Sequence, residues 1–540
     1  PIYLGCGALA NINNMKRLSI ILTLLVATTL FGQNANISNG VVFDGEPFLA
    51  INPNDSKHLV VAWMGWINIS QQIKIKTRAS FDGGQSWSAI TTLPHVVNGY
   101  TSADPSIAFN SNGDVFVSYI DFDGIDPPVN GGVYICKSSN GGLNWATPNE
   151  VINANFDGTK WPIDRPWMVI DKSNSTNEGN IYITTFNGNR TNPSFNPYLS
   201  VSIDSGSTFT TSFVDTAGWL AGNINPYPMC SPAVSKSGVF YGAYPSYVLS
   251  QSLFAQLFLA TSTDAGISKN YKIIKTYKTP TNNDDYPAAK KGSLLLCNPS
   301  NENHLVNIYL SAELGDLDIY LIESFDKGSN WSSSIRLNDD PISNNRMQDL
   351  IWGDFDQDGD LIVSWRDRRN GADSTYQTNS EIWAVYRNKD SINFESNFKV
   401  SSQIVAYDSV LENSGNDFMC IKLQDDTLNA VWGDTRTGKL NIWFQRMNTK
   451  GTVLTRNQIS SEEIPRIKIY PNPASSVLRI DGESILDVTI YDMNQKAVLI
   501  KKYSNQKNNV EINLDDLIVG TYLIYVRTSK GNFSDRFIKH

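Results

Sequence analysis

Acidic residues recur just ahead of short apolar runs in this chain: Glu46 before Pro47, Asp104 before Pro105, Asp164 before Arg165 and Pro166, Asp285 before Tyr286, then Asp349 and Asp417. Carboxylates gathered in one place raise one another's pKa or draw in a cation. A ring of them could supply a general acid, a clamp for sugar hydroxyls or a metal site, and Asp104, Asp164 and Asp349 are the candidate acids. The plainer role open to each is to accept hydrogen bonds from its own turn.

Cations and aromatics cluster further on. Trp365-Arg366-Asp367-Arg368-Arg369 heads a long polar loop, a later segment carries Trp432, Asp434 and Arg436, and Arg165 and Arg346 stand in turns like those of the acids. Guanidinium groups hold carboxylates through two parallel bonds and aromatic faces stack on sugar rings. Arg165, Arg346, Arg366, Arg436 and Trp365 are therefore the candidate ligand-binding residues; the competing role is bracing by Asp–Arg pairs. Asp354, Asp356, Asp358 and Asp360 place oxygens at alternate positions around Gly359, a spacing that suits calcium. The distal Glu of a helical calcium loop is missing, since Trp365 holds that offset, and Asn110-Ser111-Asn112-Gly113-Asp114 is the same hairpin as an ordinary turn. No cofactor is required, and calcium is the cation the chain offers a motif for.

These residues are positioned by a repeat. SFDGGQSW at 80–87, SSNGGLNW at 138–145 and SFDKGSNW at 324–331 share one octapeptide, with looser copies starting at Ser202 and Ser262. Ser and Asp can bond back to nearby N–H groups, Gly can take positive φ where the chain reverses, and the aromatic can fold onto a sheet. Two apolar runs joined by a polar turn precede each copy, a third run leads into it and a fourth follows. Each unit thus predicts four short strands, one blade of a β-propeller. Seven upstream pairs favour seven blades, with six as the alternative. In such blades the turns opening the first strand and those leaving the second lie on one face, and the octapeptide turns on the other.

The octapeptide resembles the Asp-box, or BNR repeat, of sialidase-like β-propellers, and the WRDRRNG and WGDTRTG tails are similar to those of secreted bacterial members; the likeness spans roughly residues 41–460. It implies a site in which three arginines hold the substrate carboxylate, a Tyr tuned by a Glu is the nucleophile and an Asp is the acid. By that likeness Arg165, Arg346 and Arg366 would be the arginines. The family's Arg-Ile-Pro motif is replaced in the first repeat by Gly45-Glu46-Pro47-Phe48, and no Tyr and Glu match the catalytic pair by context. The expectation is a sialidase-like propeller that acts on or binds extracellular glycans, as an exo-glycosidase on sialic-acid-type sugars. The alternative is a non-catalytic glycan-binding or adhesin module at the cell surface.

The ends of the chain concern export. Residues 1–14 read as upstream sequence, and 15–33, from Met15, have the basic start, short apolar stretch and small residues of a cleavable signal peptide. The propeller is expected over 34–460, and 464–540 lose the long repeat. That last segment resembles the C-terminal sorting domain of type IX secretion substrates, through YPNPA at 470–474, GTYLIYV from Gly520 and the basic Lys539, and the likeness implies a small Ig-like β-sandwich. A secreted or outer-surface location follows, with the type IX machinery and an extracellular glycan or glycoprotein as partners. A net charge of −9 with few basic runs argues against nucleic acid, and no second apolar stretch is long enough for a transmembrane anchor. Cys136, Cys230, Cys297 and Cys420 sit singly in different repeats and read as buried free thiols.

Overall fold

The computed structural model describes residues 34–40, 42–67, 72–188, 196–215, 230–246, 252–277, 292–407, 416–454, 467–492, 496–529 and 531–540. The signal-peptide expectation and Asp285 lie outside them. The chain divides into two compact units after Val453. Among the described residues no helix is long and apolar enough to cross a membrane.

The first unit holds seven four-stranded antiparallel sheets, the seven blades expected from the repeat. Their innermost strands are Asp44–Asn52, Thr101–Phe109, Ile163–Ile170, Ser231–Val234, Ser293–Cys297, Gln348–Phe355 and Cys420–Gln424, numbered here as blades 1 to 7. Consecutive inner strands pack side by side, and that of blade 7 meets that of blade 1, so the sheets form a closed ring. The second strands are buried nearly throughout, with Trp63, Tyr119, Tyr182, Tyr309, Trp365 and Trp432 sealed between sheets. Closure is made by the N-terminal end: Ala35–Asn36 is the outermost strand of blade 7, pairing Ala35 with Phe444 and Asn36 with Trp443.

The octapeptides fold as their composition predicts. Ser80 donates to Asp82 at 2.8 Å and accepts from the Gly84 N–H at 2.8 Å, while Asp82 accepts the Ser86 N–H at 2.8 Å. The same three bonds recur at Ser138, Ser202, Ser262 and Ser324. Gly84 needs to be glycine twice over: its φ is +85°, and a Cβ there would stand 2.3 Å from the Phe444 ring. Trp145 reaches the neighbouring blade, where its indole N–H donates to Thr77 Oγ1 at 3.0 Å.

The second unit is a five-stranded antiparallel sheet of Lys468–Tyr470, Val477–Tyr491, Ala497–Asn513, Gly520–Thr528 and Gly531–Lys539. Its longest pairing is broken by register shifts between Asp481 and Asp487, and inward residues such as Leu478, Ile490, Ile512, Ile524 and Phe537 form a separate core. A small sandwich of two facing sheets is expected here; the unit is a β domain of one continuous, irregular sheet.

Candidate functional site

Four blades aim their opening turns with one backbone device. The inner strand carries an extra residue between Gly45 and Phe48, Ala103 and Ser106, Asp164 and Trp167, and Asp349 and Trp352. The residue at each bulge is left-handed, with φ of +55° at Glu46, +51° at Asp104, +52° at Arg165 and +56° at Leu350. That conformation costs a non-glycine residue roughly 1–2 kcal/mol, and bulges that re-aim side chains cluster at functional sites. The shared phase assumed from sequence needs one correction. Arg165, not Asp164, is the counterpart of Glu46 and Asp104, and Asp164 and Asp349 hold the preceding position, as Gly45 and Ala103 do.

Glu46, Asp104, Asp164, Arg165 and Asp417 come together. The carboxyls of Glu46 and Asp104 stand next to each other, as do those of Asp104 and Asp164, close enough for each pair to share a proton. The Arg165 N–H donates to Asp104 Oδ2 at 3.2 Å and to Asp164 Oδ1 at 2.9 Å, while its Nη2 meets Asp417 Oδ2 at 2.6 Å. The Asp417 N–H points back to Glu46 Oε1 at 3.4 Å. A carboxyl pair can share a hydrogen bond only if one member keeps its proton. Glu46 and Asp104 are 1 % and 8 % exposed, and burial, joined by the Asp417 charge, pushes Glu46 up to about 7. Burial and the neighbouring carboxyls likewise raise Asp104 and Asp164 well above the usual carboxylate range. Asp164 and Asp417 keep 30 % and 23 % of their side-chain surface in solvent, so the cluster has an open side.

Beneath the cluster the ring is plugged. Phe48, Trp167, Trp352 and Phe418, from blades 1, 3, 6 and 7, meet edge to face with centroids 4.9 to 6.3 Å apart. On the far side of this plug lies a cavity of about 1170 Å³, walled by hairpins between first and second strands, among them Asn54, Ser111, Ser175 and Asn301. The octapeptide turns bond to those same hairpins, Gly83 N–H to Lys57 O at 2.8 Å and Lys327 N–H to Asn303 O at 3.0 Å, so the cavity and the octapeptides share one face. None of the five clustered residues lines it.

The other candidates are engaged elsewhere. Asp349 is no acid: Arg366 grips it at 2.7 and 2.5 Å, Arg368 at 3.1 Å and the Tyr376 hydroxyl at 2.6 Å. Against the penalty of burial, the two guanidiniums hold its carboxyl well below the usual range. Arg366 is thereby committed to Asp349, and Tyr376, which no sequence signal marked, completes the network. Trp365 is fully buried with its indole N–H on Asp367 at 2.6 Å, so it offers no face to a sugar. Arg436 is held by Asp434 at 2.9 Å and lies 4.2 Å over Trp443. Arg346 is held by its backbone, whose N–H donates to Asp316 at 2.9 Å and to Asn344 at 2.8 Å at the connection into blade 6, while its guanidinium Nη1 is buried with no hydrogen-bond partner among the described residues.

The carboxylates of the acidic loop, the calcium candidates, each have protein partners. Asp354 accepts from Lys422 at 2.9 Å and the Leu423 N–H at 3.0 Å, Asp356 from the Asp426 N–H at 3.0 Å, Asp358 from Lys389 at 2.6 Å and Asp360 from the Lys389 N–H at 2.7 Å. Their oxygens point to separate partners, and among the described residues no three His, Cys, Asp or Glu side chains are grouped as a metal site. Cys136, Cys230 and Cys420 are buried thiols outside any disulfide, and Cys297, likewise outside any disulfide, is partly exposed.

The fold and cluster define a seven-bladed propeller with an acidic axial site. Residues 468–540 match the family described as the secretion system C-terminal sorting domain. The chain thus carries the tail of a type IX secretion substrate, and the protein is secreted or held at the outer cell surface. No curated protein matches the chain. Among solved structures, it is similar to the α-L-arabinofuranosidase of Fusarium graminearum in complex with arabinobiose, at 11% identity and a TM-score of 0.42, over 78% of this chain and 98% of that one. It is similar also to the endosialidase of phage phi92, at 11% identity and a TM-score of 0.43 over 94% and 87% of the two chains. The NanB sialidase of Streptococcus pneumoniae follows at 12% identity and a TM-score of 0.38, over 78% and 70%. Likenesses at this level carry no argument about substrate.

Proposed function

We propose that the propeller is a glycoside hydrolase acting on an extracellular glycan whose reacting sugar is uncharged, with the Glu46, Asp104 and Asp164 carboxyls as its acid–base machinery. The observation that carries this reading is the row of adjacent carboxyls at the axis, buried at Glu46 and Asp104 and partly open to solvent at Asp164 and Asp417. Glycoside cleavage needs carboxyl groups in two protonation states side by side, and environments that push their pKa values apart assign the roles. Glu46, Asp104 and Asp164, raised together, supply the retained proton, and Asp417, which Arg165 fixes, stands beside them with part of its side chain in solvent.

The sialic-acid reading loses support from the same contacts. Arg366 is bound to Asp349 and Arg165 to Asp417, so the arginine clamp that an acidic sugar requires is not assembled. Four acids beside one arginine would also oppose an incoming carboxylate.

The test is turnover on a panel of aryl pentosides and hexosides together with a fluorogenic sialoside. Hydrolysis of an uncharged glycoside is expected, with Asp104→Asn lowering kcat about 100-fold or more at unchanged melting temperature. Activity should fall as pH rises through about 7, where Glu46 gives up its proton. Turnover of the sialoside alone would refute the substrate class. Retention on a glycan array with no product from any glycoside would leave a binding module in place of the enzyme.

A further inference from the structure

The cavity on the octapeptide face is walled by all seven blades and separated from the acid cluster by the aromatic plug. At about 1170 Å³ it is as large as the upper end of small-molecule sites. Its rim is unusually rich in groups that both donate and accept: Asn54, Ser111, Ser175, Ser237, Ser300 and Asn301, each from a hairpin turn. Sugar hydroxyls need partners of that kind.

Its wall also carries amines. Lys172 of blade 3, Lys236 of blade 4 and Lys422 of blade 7 line it. Lys422 is partnered by Asp354 at 2.9 Å, and Glu302, another wall residue, is paired with Lys327 at 2.8 Å. Lys172 differs from Lys422: it lines the cavity, and among the described residues no hydrogen bond or ion pair engages its ammonium. The crowded wall and the Lys422 charge lower its pKa to about 8, against the pull of Asp354, so it is a cation at neutral pH that an anion would stabilise.

We propose that this cavity is a second ligand site, for an anionic monosaccharide or chain end of the hexuronate type, whose carboxylate is taken by Lys172 and whose hydroxyls are taken by the hairpin rim. The site is independent of the acid cluster and does not rest on the activity proposed above.

Titration calorimetry on the full chain with glucuronate, glucose and inorganic sulfate tests it. Glucuronate should bind saturably, glucose and sulfate much more weakly, because each lacks half of the recognised chemistry. Lys172→Gln should weaken glucuronate by about tenfold or more, since a charge-assisted bond is lost, while Lys172→Arg should stay within about threefold. Asp104→Asn should leave this binding intact. The proposal is overturned if glucuronate does not bind, if glucose or sulfate binds as tightly, or if Lys172→Gln binds as wild type. Weakening by Asp104→Asn with Lys172→Gln unaffected would place the ligand at the opposite mouth and overturn it as well.

Discussion

At the scale of single residues, charge in this protein is either matched inside the wall or left mismatched at the axis. Asp349 is the matched case. Asp349→Asn would strand Arg366 and Arg368 without their counter-charge, and a loss of about 3–5 kcal/mol is expected in denaturant unfolding. Glu46 is the mismatched case, with a folded pKa raised to about 7 from 4.5. The native state then binds more protons than the unfolded chain between those values, so stability contributed by this group falls as pH rises from about 4.5 to about 7. Glu46→Gln should flatten that slope in a pH series of melting curves; an unchanged slope would show that the proton sits elsewhere. Sequence spacing was enough to bring Glu46, Asp104, Asp164 and Asp417 to one place. It could not separate Asp164 from Asp349, which hold the same position at the same bulge, because the partners that decide their fates, Arg165 on one side and Arg366, Arg368 and Tyr376 on the other, come from whichever strand and loop the fold brings alongside.

At the scale of elements, two local side-chain units recur where strands end. One is the octapeptide turn, where Ser324→Ala would remove the bond accepted from Gly328 N–H and the one donated to Asp326, at a cost of about 1–3 kcal/mol in thermal or denaturant unfolding. The other is a Trp-x-Asp-x-Arg run at the end of the second strand. Trp365 donates to Asp367 at 2.6 Å and Trp432 to Asp434 at 2.8 Å, and the following arginines, Arg369 and Arg436, bind those aspartates and stack over Trp383 and Trp443 at 4.0 and 4.2 Å. Arg436→Lys should destabilise blade 7, because an ammonium cannot both fork the carboxylate and lie flat on the indole. The octapeptides were readable because their bonds close within eight residues. The Trp-x-Asp-x-Arg runs read equally well as sugar platforms, since only the strand alongside shows that the indole is sealed and the guanidinium covered.

At the scale of the whole molecule, the ring depends on a few residues far from its last blade in sequence. Ile37 is buried, its N–H donates to Ile442 O at 2.9 Å, and its carbonyl accepts from Arg78 of blade 1 at 2.7 Å, so the segment fastens blade 7 and blade 1 together. Removing residues 34–40 should lower the melting temperature and, by baring the edge of Asn441–Asn448, promote association measurable by light scattering. The repeat count made seven blades legible, whereas the closing strand was too short to carry any pattern of its own. The four-ring stopper set between the two mouths has a consequence for traffic. Phe48, Trp167, Trp352 and Phe418 stand between the acid cluster and the cavity on the octapeptide face, so each mouth is a cul-de-sac and a ligand entering one has to leave by the same side.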